Sequence, residues 1–235
     1  MFHWEFPQAL YERGGWLNPE VIDWFGEYAK VVAENFSDIC EYFITINEPQ
    51  CVVGLGHLSG VHAPGLKLSA KDTFQIAHNL MKAHGQAVIN LRKYAVRDIK
   101  VGYAPTGGVA YPYTDKPEDI EAAKKVYFGF YNPMDNWTWN VAWFSDPVFL
   151  GHYPKEGLEK FAEYLPEITE EDMELILSVG ANSIRLAHYQ HDQYFYDLCD
   201  EKGIVAWAEI PYITVHMDGG RENTISQMKE LIVQN

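Results

Sequence analysis

Basic residues are in short supply: 18 Lys and Arg stand against 33 Asp and Glu, a formal net charge of −15 over 235 residues. An anionic surface repels the phosphate backbone that dominates nucleic-acid affinity, and it repels anionic lipid for the same reason, so neither is expected as a partner. Cysteine is scarce too. The three thiols, Cys40, Cys51 and Cys199, are odd in number and form no Cys-x-x-Cys pair, which argues against a disulfide framework or a zinc ribbon and fits a reducing compartment. No window approaches the roughly 18 consecutive apolar residues of a membrane span. Met1-Phe2-His3-Trp4-Glu5 also lacks the basic stretch and apolar run of a signal peptide. A soluble, cytoplasmic chain is expected. Hydrophobic residues make up 47% of the sequence, ample for a packed core, so disorder is excluded.

Helix signals recur along the chain. Asn18-Pro19 offers an N-cap and an N1 proline before Val21 to Phe36, where Val21, Ile22, Phe25, Tyr28, Ala29, Val32 and Phe36 repeat at helical spacing. Further helices are expected from about Asp72 to Lys93, after Pro117, from Asp192 to Lys202 and after Glu222. Thr169-Glu170-Glu171-Asp172 resembles a capping box opening a short helix to about Leu177. Between these lie short apolar or β-branched runs with strand character: Tyr42 to Ile46, Ile99 to Ala104, Ser183 to Ala187 and Ile204 to Ala208. The alternation of strand and helix predicts an α/β fold with a parallel sheet covered on both faces. A barrel and an open doubly wound sheet remain the alternatives. The only glycine-rich candidate for a nucleotide loop, Gly54 to Gly60, has a spacing one residue too long, which counts against a dinucleotide fold.

The first strand runs directly into Asn47-Glu48-Pro49, a carboxylate delivered where proline ends the ladder. In a barrel that end of the strand is the active-site face. Cleaving a sugar bond needs two carboxyl groups, one acidic and one ionised, and Glu48 is the first candidate. Aromatics make up 14% of the chain, and flat rings stack against the CH faces of pyranoses. Trp24, Trp137, Trp139 and Trp143 are expected in the core. His57 and His62, and His188 and His191 before Asp192, make no recognised metal pattern; no metal or cofactor is expected. The acidic stretch Glu167 to Glu174 reads as a solvated helix face, since it lacks the glycine and alternating oxygens of a calcium loop.

His3-Trp4-Glu5-Phe6-Pro7-Gln8-Ala9-Leu10, Gly14-Gly15-Trp16-Leu17-Asn18-Pro19, Thr45-Ile46-Asn47-Glu48-Pro49 and Asp146-Pro147-Val148-Phe149 resemble glycoside hydrolase family 1, its β-glucosidases in particular, over residues 1–177. The resemblance implies a retaining β-glycosidase with Glu48 as general acid/base. Asn47 would bond the sugar 2-hydroxyl, while His3 and Trp4 line the glycone subsite. Trp4 after the histidine favours an unphosphorylated glycone. Two departures stand out. The chain opens at what resembles the family's third strand, without the first two and their glutamine and arginine contacts. The nucleophile motif Thr-Glu-Asn-Gly is absent from the sequence.

Residues 178–235 resemble glycoside hydrolase family 2, the β-galactosidase group, through Ala181 to Tyr189, Asp197 to Asp200 and Trp207-Ala208-Glu209-Ile210-Pro211. This implies that His188 and the strand-borne Arg185 contact the glycone. The chain thus reads as one partial domain over 1–235, an incomplete or chimeric (β/α)8 TIM barrel with parallel strands, joined near Ile176 to Val179. The family 2-like strands would fill positions six and seven. Glu209 then sits where family 1 carries its nucleophile and becomes a surrogate for it, the alternative being that it only bonds neighbouring strand ends. Four strands and a remnant at His3-Trp4 leave the barrel open, and open edges favour self-association. The expected substrate is a β-linked glucoside or galactoside. The competing reading is a catalytically inactive sugar-binding fragment or chimera that needs another chain to complete it.

Overall fold

The computed structural model describes residues 1–108, 110–130, 137–177, 183–186, 190, 193–203, 205–211 and 219–234. Four strands, β1 (Tyr42–Asn47), β2 (Lys100–Ala104), β3 (Ser183–Leu186) and β4 (Val205–Ala208), form one sheet in the order β1-β2-β3-β4. Every pairing is parallel, with Tyr42 opposite Lys100, Gly102 opposite Ser183 and Arg185 opposite Trp207. The four predicted strands are all present; β1 runs one residue further, to Asn47, and β2 starts one residue later, at Lys100. The predicted ends at Ala187 and Ile204 lie outside the described residues. The expected remnant is a single bridge, Phe2 to Ile46, one residue before His3. Among the described residues the sheet does not close.

Helices separate the strands, as parallel pairing requires. Val21–Phe36 lays Val21, Phe25, Ala29 and Ala33 into the core. Its expected cap differs: Asn18 accepts from the Glu20 N–H at 2.9 Å and the helix opens at Val21, so Asn18-Pro19 make the preceding turn. Ala70–Tyr94 starts two residues before the predicted Asp72, because the Ser69 hydroxyl caps the Asp72 N–H at 3.1 Å. The capping box at Thr169 forms as read. Thr169 Oγ1 accepts from the Asp172 N–H and Asp172 Oδ2 from the Thr169 N–H, both at 3.1 Å, opening Glu170–Leu177. Within that acidic stretch Asp172 is buried and bonded, not a solvated face: it meets His78 Nε2 at 3.2 Å and Lys82 Nζ.

The main core lies between the sheet and these helices, running from Phe2 to Ile176. Phe74, Trp137, Trp143 and Phe161 form its aromatic centre, with Phe74 stacked on Trp137 at 3.8 Å between ring centroids. Trp137 and Trp143 are buried as expected, whereas Trp139 and Trp24 are only half-buried, Trp24 beneath the Arg13 guanidinium. Trp137 to Trp139 form a 3-10 turn and only Trp143 lies in a helix, Val141–Phe149. The helix Lys155–Phe161 was not foreseen. Gly85 lets Ala70–Tyr94 and Glu170–Leu177 approach closely, since a Cβ there would collide with the Leu175 carbonyl oxygen. Residues 193–234 contribute a smaller cluster, Tyr196, Cys199 and Leu231, where the helices Gln193–Lys202 and Arg221–Gln234 meet β4.

Candidate active site

The site gathers where the parallel strands end. β1 finishes at Asn47, and Pro49 opens a helical turn, Pro49–Cys51, that carries the chain away. Glu48 joins the two with φ +45°, a left-handed conformation that non-glycine residues rarely adopt. Its N–H donates to the Ala104 carbonyl at 2.6 Å, tying the strained residue to the end of β2. Backbone strain of this kind costs on the order of 1–3 kcal/mol and persists only where surrounding structure fixes it, which is common at functional sites. The side chain is turned into the protein, 6% exposed.

Arg185, at the third position of β3, ties the site together. Its Nη1 donates to Asn47 Oδ1 at 2.8 Å and lies 3.9 Å from Glu48 Oε1. Its Nε and Nη2 reach the two oxygens of Glu209 at 2.6 and 3.2 Å, a fork-to-fork pair that fixes the carboxylate plane. Glu209 follows β4 directly, so one guanidinium spans carboxylates from the two outer strands of the sheet. Asn47 is held from its other side as well, its Nδ2 lying 3.3 Å from His3 Nε2. Trp4 donates from Nε1 to the Asn47 carbonyl at 3.1 Å and is itself left-handed, φ +82°. His3, Trp4, Asn47, Glu48, Arg185 and Glu209 are therefore one connected group. His188, His191 and Asp192 lie outside the described residues.

Two features escaped the sequence reading. Cys51 donates its thiol to Glu48 Oε2 at 3.3 Å, and burial together with the Glu48 charge and hydrogen bond pushes that thiol up to about 12. The spacing of three residues across Pro49 was the signal that could have found it, since a helical turn returns the chain to the same side. The second is a cleft of about 640 Å³ lined by His3, Trp4, Tyr11, Cys51, His57 and His62 among others; Asn47, Glu48, Arg185 and Glu209 are not in its lining, and Cys51 joins it to Glu48. His62 packs against Trp4, with 5.5 Å between ring centroids, while His57 donates from Nδ1 to the Val52 carbonyl at 2.7 Å. Among the described residues no group of three or more histidine, cysteine or acidic side chains is placed to hold a metal ion.

Two acidic side chains thus stand at the ends of parallel strands, with an asparagine directly before one of them and His3 and Trp4 alongside. Glycosyl hydrolase family 1 matches residues 1–209, and the chain belongs to that family. It is 41% identical over 186 residues to β-glucosidase A of Thermotoga maritima, covering 77% of this chain and 39% of that protein. It is 40% identical over 176 residues to the 1,4-β-D-glucan glucohydrolase of Thermotoga neapolitana, 75% of this chain and 39% of that one. Among solved structures, the family 1 β-glucosidase from Thermotoga maritima superposes with a TM-score of 0.66 at 38% identity, over 79% of this chain and 39% of that one. A Thermotoga maritima family 1 glycoside hydrolase complexed with a cyclophellitol analogue transition-state mimic matches 100% of this chain and 59% of its own, with a TM-score of 0.73 at 30% identity. The chain spans about two-fifths of the length of the curated relatives it matches. The family match runs through the expected join near 176–179 as far as residue 209, so family 1 also accounts for β3 and β4, and nothing in these matches points to family 2.

Proposed function

We propose that these residues form a retaining β-glycosidase site acting on β-linked glucosides, with β-galactosides as the second glycone to test. The observation that carries the reading is Arg185, whose one guanidinium reaches Glu48 and Glu209 from opposite sides. Glu48 protonates the glycosidic oxygen as the bond to the anomeric carbon breaks. Glu209 attacks that carbon and forms a glycosyl ester. Glu48 then takes a proton from water, which displaces the ester and frees the sugar. Asn47 offers its Nδ2 to the 2-hydroxyl, and His3, Trp4 and, by its place in the chain, His188 contact the glycone. Arg185 orients Glu209 and borders the same space. The free thiols are consistent with a cytoplasmic setting.

One feature favours the second reading, a sugar-binding chain without turnover. Both oxygens of Glu209 are engaged by Arg185, as they would be if this carboxylate only tied strand ends together. Family 2 ancestry for residues 178–235 rests on the Ala181 to Tyr189, Asp197 to Asp200 and Trp207 to Pro211 motifs alone, against a family 1 match that reaches residue 209. Self-association fits the exposure of Val205 and Trp207 on β4, 59% and 60%, and predicts activity that falls on dilution.

Turnover of nitrophenyl β-glucoside and β-galactoside by highly purified protein tests the proposal. Glu48→Gln should lower kcat by about 10²–10⁴, and Glu209→Gln should be as damaging. Unchanged turnover in Glu209→Gln removes that residue from the chemistry. No turnover with saturable glucose binding supports the sugar-binding reading instead.

A further inference from the structure

The two oxygens of Glu48 meet different chemistry. Oε1 lies 3.9 Å from the Arg185 guanidinium, and Oε2 accepts the Cys51 thiol at 3.3 Å. Cys51 is held in place for this contact: it ends the turn opened by Pro49, its N–H donates to the Glu48 carbonyl at 2.9 Å, and it is 8% exposed. The left-handed backbone of Glu48 points its side chain back over that turn, so a residue three positions on comes into reach. Cys51 also lines the cleft that His3 and Trp4 border, while Glu48 does not, so Cys51 stands between that cleft and the carboxylate.

We propose that Cys51 is a positioning residue for Glu48, its neutral thiol holding one carboxylate oxygen so that the other is presented to the glycosidic bond. The proposal rests on the reading of Glu48 as acid/base. Burial first, then the Glu48 charge and hydrogen bond, hold the thiol well above its usual range, so it remains a donor while Glu48 is ionised. The same condition makes it a poor nucleophile and a poor target for alkylation, which separates this role from that of a reactive cysteine.

The test is the carbon-13 chemical shift of the Glu48 side-chain carboxyl, read by NMR at one fixed pH and assigned by its loss in Glu48→Gln, together with kcat and KM on nitrophenyl β-glucoside. Cys51→Val fills the site without a donor and Cys51→Ser keeps one. The expected result is a carboxyl shift displaced in Cys51→Val and returned towards wild type in Cys51→Ser, with kcat lowered about fivefold and then restored while KM stays unchanged. Cys51→Ala removes the donor with no added bulk and gives the same reading if the valine variant does not fold. A chemical shift and kcat equal to wild type in the variants without a donor would overturn the proposal and leave Cys51 as packing. Full activity in Glu48→Gln would remove the acid/base reading even if the chemical shift shows the two groups in contact.

Discussion

Residues 1–177 and residues 183–234 are built to different standards. The first region surrounds a long aromatic and aliphatic core in which Phe74, Trp143, Phe144, Phe161 and Ile176 are almost wholly buried. The second is anchored by β3 and β4 and by one small cluster, Tyr196, Cys199 and Leu231, while Val205, Trp207, Ile232 and Val233 remain exposed. Yet each region supplies one carboxylate. Glu48 stands on the rigid side, held by strained backbone and by Cys51. Glu209 stands on the lightly packed side, where Arg185 forks onto both its oxygens. A site can thus inherit its precision unequally, with packing placing one acid and an ion pair placing the other.

Substitutions in the two cores should separate these regimes. Trp143→Ala is expected to cost about 3–5 kcal/mol and to unfold the chain cooperatively in urea, because its ring touches most of the aromatic centre. Arg185→Met should rank next. It leaves two mostly buried carboxylates without their shared cation, at roughly 3 kcal/mol. Hydrogen exchange should show that loss in β3 and β4, with the helix Ala70–Tyr94 still protected. Leu231→Ala should cost about 2 kcal/mol or less, since few neighbours surround it, with urea unfolding of the main core unchanged. A faster exchange across Ala70–Tyr94 in that variant would show that the two regions fold as one unit.

The smallest of these effects is a slope against pH, and it belongs to the first region. His84 is fully buried against Thr45 and Tyr103, and burial first, then the Arg92 charge, lowers it to about 3 from an ordinary 6.5. Its folded value is depressed, so the unfolded chain binds the proton first. The contribution is complete above about 6.5 and is lost as pH falls from there towards 3, at about 1.4 kcal/mol per unit for one proton. His84→Met should flatten the difference in stability between pH 6 and pH 5 by about that much, measured by urea unfolding at each pH. The opposite trend at Asp146, raised to about 6 by burial, is common to both proteins and cancels in the comparison.

The sequence disclosed more of the first region than of the second. Helical spacing in Val21–Phe36 and the reciprocal Thr169-Asp172 cap are local signals, and both elements formed close to where they were read. Asn47-Glu48-Pro49 was legible because proline must end a strand, which puts the carboxylate at the sheet's end. The Arg185 bridge was not, since it depends on the register that sets Arg185 opposite Trp207 and on strands 138 residues apart in sequence meeting at Asn47. The buried role of Asp172 was missed for a related reason: an acidic run looks solvated until His78 and Lys82 arrive from another helix. The Cys51 contact lay within three residues of Glu48 but needed the left-handed backbone to become visible.

The pairing of a rigid acid with an ion-paired second carboxylate is tested most directly by trapping the glycosyl ester. Purified protein incubated with a 2-deoxy-2-fluoro-β-glucoside bearing a dinitrophenyl leaving group, then digested and weighed by mass spectrometry, should carry one sugar on the peptide containing Glu209. The adduct should be lost in Glu209→Gln. Turnover of the parent glucoside with no adduct on that peptide, or with the sugar on another carboxylate, would contradict the assignment of Glu209 and leave Arg185 as a tie between strands.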